Sequence, residues 1–358
     1  MGKRAGFTHM PPKEAREPAN QSYPAAGKHN KSIRPLLLAA TGGGVFVLLP
    51  LVLSPYPLVI ASYALVFAIA GLGLNLLFGT TGLLSLGHAA YFGVGAYAGA
   101  FLYRFYDMSS LEAHLFSGVL AATVLATVFG FLCVRATKIH FTILTLAFTQ
   151  MVHAVFISGA VFRLFGPLGW GLYLVGSGGL YIPRFTILGT EFAPDVFIPA
   201  FYYVILLAFF GSAALLWRIG RSPFGKALRA IRDNERRAAF IGVPVRQYRW
   251  YAFILSGAFM GLAGALYGQL ARQITPQQLD WLFSAKLVLA IVLGGTQQFL
   301  GPVVGAFAFI GLDELSSRWP VGRSAVMGVL LIAVVLAFPR GLAGVAAALR
   351  DLIRKLGK

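Results

Sequence analysis

The sequence predicts an all-α, polytopic integral membrane protein of about ten transmembrane helices, with both termini on the cytoplasmic side. Two observations lead there. Hydrophobic residues make up 58% of the 358 and charged ones only 12%, against roughly 25% charged in a soluble domain. From Leu36 onward, apolar runs long enough to cross about 30 Å of hydrocarbon follow one another. They are continuous, not alternating as lipid-facing strands would be, which sets aside a β-barrel.

Taken in order, the candidate spans are 36–53, 58–78, 83–103, 114–134, 139–160, 198–217, 248–270, 283–296, 302–316 and 324–338. The third, eighth and ninth are short or rich in glycine, a pattern compatible with re-entrant or broken helices. Charge offers an independent parity check. With the N-terminus inside, ten crossings put Arg135 and Lys138, the block from Arg218 to Arg249 and the C-terminal Arg340, Arg350, Arg354, Lys355 and Lys358 in the cytoplasm. Segments 104–113, 161–197, 271–281 and 317–323 then lie outside, with acids and bases nearly balanced.

The chain divides into three regions. Residues 1–34 read as a basic, disordered cytoplasmic tail, since a secretory signal would carry its apolar stretch much nearer the start. Residues 35–345 form the transmembrane domain, and 346–358 a second basic cytoplasmic tail. Within the domain, 161–199 is an external loop dominated by Gly, Pro and aromatic residues, either a docking place for a soluble partner or a plain connector. The formal charge of +18 does not point to nucleic acid, because the cations sit in loops and tails where an anionic inner leaflet faces them. Cys133, the single cysteine, excludes an intramolecular disulfide.

The longest polar interruption between apolar runs is the loop at 222–245, SPFGKALRAIRDNERRAAFIGVPV. Ser222 and Pro223 read as an N-cap and a proline at the first helical position. A helix from Phe224 to Ile241 would carry Phe224, Ala227, Leu228, Ile231, Ala238 and Ala239 on one stripe, with Lys226, Arg229, Arg232, Arg236 and Arg237 opposite. Glu235 falls inside the apolar stripe. The segment is therefore a basic surface helix, or a docking element whose Glu235 is kept for a cationic or backbone partner on another protein. A break near Asp233 and Asn234 would lose the phase.

Between Gly71 and Arg104, Gly79 to Gly82 predicts a tight turn, and the later glycines allow close helix approach. Ser85 and His88 are three apart and could share a helical face, the start of a hydrolase site. No G-x-S-x-G elbow and no second catalytic group accompany them. No acidic residue sits centrally in a span, unlike many ion-coupled carriers.

Five blocks then carry a resemblance: GLNLLFGTTGLLSLGHAAYFGVGAYAGA, FTILTLAFTQMV, the 222–245 loop, YRWYAFILSGAFMGLAGALYGQL, and VLAIVLGGTQQFLGPVVGAFAF followed by FPRGLAG. In this order, over 36–345, they resemble the LivM-type permease of branched-chain amino acid ABC importers. The resemblance implies a pathway-forming subunit of the bacterial inner membrane without its own ATPase. It implies a LivH-like second permease, two ABC ATPase subunits and a periplasmic solute-binding protein as partners. No Walker A sequence occurs, so ATP and Mg belong to the partner subunits and no cofactor is expected here. The 222–245 loop would be the coupling loop, with Arg232, Asp233, Glu235, Ala238 and Gly242 as the coupling residues. Asn75, Ser85 and His88 are candidates for the translocation pathway.

Two departures leave the solute open between branched-chain or other apolar amino acids and the urea or short amides of related permeases. The external loop reads Val175-Gly176-Ser177-Gly178-Gly179-Leu180, and Gln297-Gln298-Phe299 follows the late Gly-Gly pair. An ion-coupled secondary carrier is the rival from another class.

Overall fold

A computed structural model describes residues 43–44, 46–136, 138–159, 179–187, 189–319, 322–338 and 341–344. The two tails, at 1–34 and 346–358, and the first part of the 161–199 loop, 161–178, lie outside these residues. The chain divides into Met1–Val45 and Phe46–Lys358. Of the first unit only 43–44 are described, and they are helical. The second unit is a helical bundle.

Helix α1, Pro55–Thr81, is the centre of the bundle. Ser54 is extended and Pro55 occupies the first helical position, where its missing N–H costs nothing. Every residue from Ala64 to Leu77 is buried, as expected of a helix that is apolar all round. The helix stops at Gly82, whose φ of 75° is left-handed; its N–H reaches the Phe78 carbonyl and the Leu83 N–H reaches the Leu77 carbonyl.

A short non-helical stretch, 83–87, leads into α2, His88–Tyr106. The third candidate span thus begins five residues before its helix does. Non-helical backbone at this depth is tolerated only inside protein, and neighbours here supply the partners. Thr142 Oγ1 donates to the Leu84 carbonyl at 2.7 Å, the Gly87 N–H donates to Ser85 Oγ at 3.2 Å, and in the first turn of α2 the Ala89 N–H donates to Ser284 Oγ at 2.7 Å.

Helices α3 (Leu111–Cys133), α4 (Lys138–Ile157) and α5 (Pro194–Arg221) come next. Two short helices, α6 (Pro223–Asp233) and α7 (Glu235–Phe240), separate α5 from α8 (Val245–Ala271). Small residues let α8 sink among its neighbours. Gly257 meets Ala126, Gly261 meets Ala122 and Gly118, and Gly264 lies so close to the Phe92 carbonyl that no Cβ would fit. At the end of α8 remote from α7, β1 (Leu180–Tyr181) pairs antiparallel with β2 (Gln273–Ile274).

A helical hairpin completes the bundle, α9 (Trp281–Gly294) and α10 (Gly301–Ser316), followed by α11 (Arg323–Ala337). At 1.5 Å per residue, α9 and α10 are only about 21 and 24 Å long. Six helices among the described residues are long and apolar enough to cross a membrane: α1, α3, α4, α5, α8 and one beginning at Arg323. The protein is a mostly helical, multi-pass membrane protein. The three spans that are short or rich in glycine correspond to α2, α9 and α10.

Candidate functional site

The loop from Ser222 to Val245 forms two helices, not one. Ser222 Oγ accepts from the Gly225 N–H at 3.3 Å and Pro223 follows, starting α6. Gly225, Leu228 and Ile231 are buried. At Asn234 the backbone turns extended, φ −159° and ψ 104°, and its side-chain oxygen accepts from the Arg237 N–H at 3.0 Å. That cap restarts the helix as α7 in a new phase. Ala238 is therefore buried while Ala239, its predicted stripe-mate, is exposed. Gly242, at φ +87°, turns the chain toward α8 in a conformation that favours glycine. Just before it stand Phe240 and Ile241, 90% and 77% exposed.

Glu235 has a cation, and it comes from this chain. Arg249 in the first turns of α8 binds it through both terminal guanidinium nitrogens, Nη1 to Oε1 at 2.9 Å and Nη2 to Oε2 at 2.8 Å. Arg249 is 6% exposed, whereas the Glu235 side chain keeps 43% of its surface. A planar two-point contact fixes orientation as well as distance. At the adjacent residue, Trp250 Nε1 donates to the Thr127 carbonyl at 3.0 Å, tying α8 to α3.

Arg232 reaches the other way. Its Nη1 donates to the Gly79 carbonyl at 2.6 Å and to Gln297 Oε1 at 3.3 Å, while Nε and Nη2 donate to Asp233 Oδ1. A guanidinium at the carbonyl end of α1 is favoured by that helix's dipole. Beside it opens a cavity of about 330 Å³, lined by Asn75 and Thr80 of α1, Arg221 of α5, Arg229 and Arg232 of α6, and Gln297.

Ser85 and His88 are joined elsewhere, in the bundle interior. Ser256 Oγ donates to the Gly73 carbonyl at 2.7 Å, so it accepts from His88 Nε2–H at 2.8 Å. That tautomer leaves Nδ1 to accept from the Ser85 hydroxyl, also at 2.8 Å. Ser85, His88 and Ser256 are each 0% exposed. Both imidazole nitrogens are engaged, and the relay ends on a backbone carbonyl, not a carboxylate. The arrangement pins α1, α2 and α8 together, and a hydrolytic reaction has no opening here.

The eight residues singled out from sequence thus fall into three places. Asn75 and Arg232 share the cavity; Ser85 and His88 share the buried relay; Glu235, Ala238 and Gly242 shape the tip beyond Asn234, with Asp233 beside Arg232. Arg249 and Ser256 were missed. An acid stranded in an apolar stripe signals a nearby cation, and Arg249 was the candidate 14 residues on. Ser256, inside an apolar run, carries no such signal. Among the described residues no group of three or more His, Cys, Asp or Glu is placed to hold a metal.

Residues 56–335 match the family described as branched-chain amino acid transport system / permease component. The chain is 27% identical over 313 residues to the high-affinity branched-chain amino acid transport system permease protein LivM of Escherichia coli (strain K12), covering 82% of this chain and 71% of that protein. It is 25% identical over 303 residues to the LivM protein of Salmonella typhimurium, with the same coverage. To that organism's LivH permease it is 22% identical over 295 residues, 78% of this chain and 91% of the relative. No solved structure matches.

Proposed function

The chain belongs to the branched-chain amino acid transport system / permease component family, and from that premise we propose that it is the LivM-like permease subunit of an ATP-driven importer. It works in the bacterial inner membrane beside a LivH-like permease, above two ABC ATPases, and receives its solute from a periplasmic binding protein. The solute is a branched-chain or other apolar amino acid. The chain crosses the membrane ten times with both termini inside, which places α6 and α7 in the cytoplasm.

One observation supports this most: an apolar tip, Phe240 and Ile241, held out from a cationic loop by rigid ties to two long helices. Large apolar side chains so exposed on a water-facing loop gain free energy when another surface covers them, and the ATPase subunits are the surface proposed here. Arg232 and Asp233 anchor the loop to α1, Glu235 to α8, and Ala238 and Gly242 set the angle of the tip. ATP and Mg act on the partner subunits, and closure of those subunits pushes on the tip. Two permease conformations with different contacts to the ATPases convert that push into alternating access. Asn75 lies beside the inward-facing end of the pathway, in the cavity between α1, α5 and α6, while Ser85 and His88 stiffen the pathway's wall.

Uptake of labelled leucine into proteoliposomes tests the proposal. The complete assembly takes up solute with ATP supplied on the tip side, whereas this chain alone takes up none under a proton or sodium gradient. Gly242→Pro in the assembly uncouples hydrolysis from uptake. Gradient-driven uptake by the chain alone defeats the reading.

A further inference from the structure

We infer that the cavity beside Arg232 is a binding site for the headgroup of an anionic, hydroxyl-bearing phospholipid of the phosphatidylglycerol type. Three guanidiniums, Arg221, Arg229 and Arg232, line it. Two are partly committed: Arg232 to the Gly79 carbonyl and Asp233, and Arg221 to the face of Trp217, with Cζ 3.7 Å from the ring centroid. Arg229 has no acceptor among the described residues. No carboxylate lines the cavity, so the charge inside it calls for an anion.

A second observation says more about the ligand. Asn75 is 8% exposed and lines the cavity, and its side-chain oxygen has no hydrogen-bond partner among the described residues. An unpaired buried acceptor is costly, and what it lacks is a donor. An ammonium donor would meet three guanidiniums at close range and be repelled. A hydroxyl donates without that penalty. Phosphate oxygens on the guanidiniums and a glycerol hydroxyl on Asn75 answer both demands, and charge-assisted bonds to phosphate are the strong kind. The volume of about 330 Å³ holds about ten waters' worth of ligand.

Position favours a lipid over a soluble phosphate. One wall is the end of α5, whose Tyr203, Leu207, Phe210, Ala214 and Trp217 form an exposed, regularly spaced apolar stripe. Acyl chains lying along that stripe bring the headgroup to the level of Trp217, an interfacial residue by type. Basic pockets between helices at the inner leaflet recognise such headgroups. This siting rests on the reading of the arginine-rich side as cytoplasmic.

Native mass spectrometry and thermal melting of the full-length protein, purified in its assembly and stripped of lipid, test the site. Dioctanoyl phosphatidylglycerol is the probe, with dioctanoyl phosphatidylcholine and inorganic phosphate as separate arms. The expected result is a bound phosphatidylglycerol and a raised melting temperature, with apparent affinity about tenfold weaker in Arg229→Gln and in Arg221→Gln. Arg229 makes no bond to another described residue, so its variant tests binding and not folding. Equal binding of the two lipids, or undiminished binding in both variants, overturns the site. An equal response to inorganic phosphate alone overturns the lipid as its source. The readout needs neither ATP nor a transported solute, so it fails or succeeds separately from the transport assay.

Discussion

Arg249 holds Glu235 in a two-point ion pair, 2.9 and 2.8 Å, across the junction of a six-residue surface helix and a 27-residue membrane helix. The two partners are unequally placed. The arginine is buried and the glutamate is partly hydrated. Removing one is therefore not equivalent to removing the other.

Glu235→Gln leaves a buried guanidinium without its counter-charge and is expected to destabilise the protein by about 2–3 kcal/mol, below the range for fully buried pairs because Glu235 is half in water. Arg249→Met leaves a carboxylate that can hydrate and is expected to cost less. Melting temperatures in detergent rank the two. ATP hydrolysis by the assembly should lose its response to solute in both.

Phe240 and Ile241 stand mostly in solvent, so Phe240→Ser and Ile241→Ser should leave stability within about 0.5 kcal/mol of the parent. Recovery of the ATPase subunits with the tagged chain should fall at least tenfold in the double variant. Pull-down followed by quantitative staining measures it.

Gly264→Ala sets a methyl against the Phe92 carbonyl. Neither backbone can give without separating α8 from α2, so a loss of about 1–3 kcal/mol is expected. Gly211→Ala in α5 meets nothing within 4 Å and should be neutral or stabilise by up to about 1 kcal/mol. Paired melting curves of the two variants show whether close packing, not glycine content, governs this bundle.

His88→Ala opens the relay and strips Ser85 and Ser256 of a partner each, for an expected loss of about 1–3 kcal/mol. Ser85→Ala removes two bonds, one to His88 Nδ1 and one accepted from the Gly87 N–H, and should cost about 1–2 kcal/mol. Because the hydroxyl is sealed in, a serine-reactive fluorophosphonate should not label the folded protein. Labelling lost in Ser85→Ala would reopen the hydrolytic reading.

The six long apolar helices among the described residues were legible because hydropathy is a property of one segment by itself. The start of α2 was not. Leu83 and Leu86 continue the apolar run on either side of Ser85, yet the chain there is not helical; Thr142, far along the sequence, satisfies the Leu84 carbonyl, and Ser284 satisfies the first turn of α2. The phase of the 222–245 loop was lost at Asn234, a residue equally at home within a helix end or capping a new one. The acid in the stripe was visible; its bond to Arg249 was not, since it depends on the turn that Gly242 makes between them. The cavity joins Asn75 of α1 to Arg232 of α6, elements far apart in the chain, a pairing that periodicity cannot express.

The buried relay from Ser85 through His88 to Gly73, with the seamless fit of Gly264 on Phe92, makes α1, α2 and α8 a single stiff body. The surface loop grips that body at both ends of its polar rim, through Arg232 on α1 and Glu235 on α8. A displacement of the tip cannot be absorbed by bending within the trio. In the transport role proposed above, the whole block then tilts as one piece, and the joint that opens and shuts lies outside the trio.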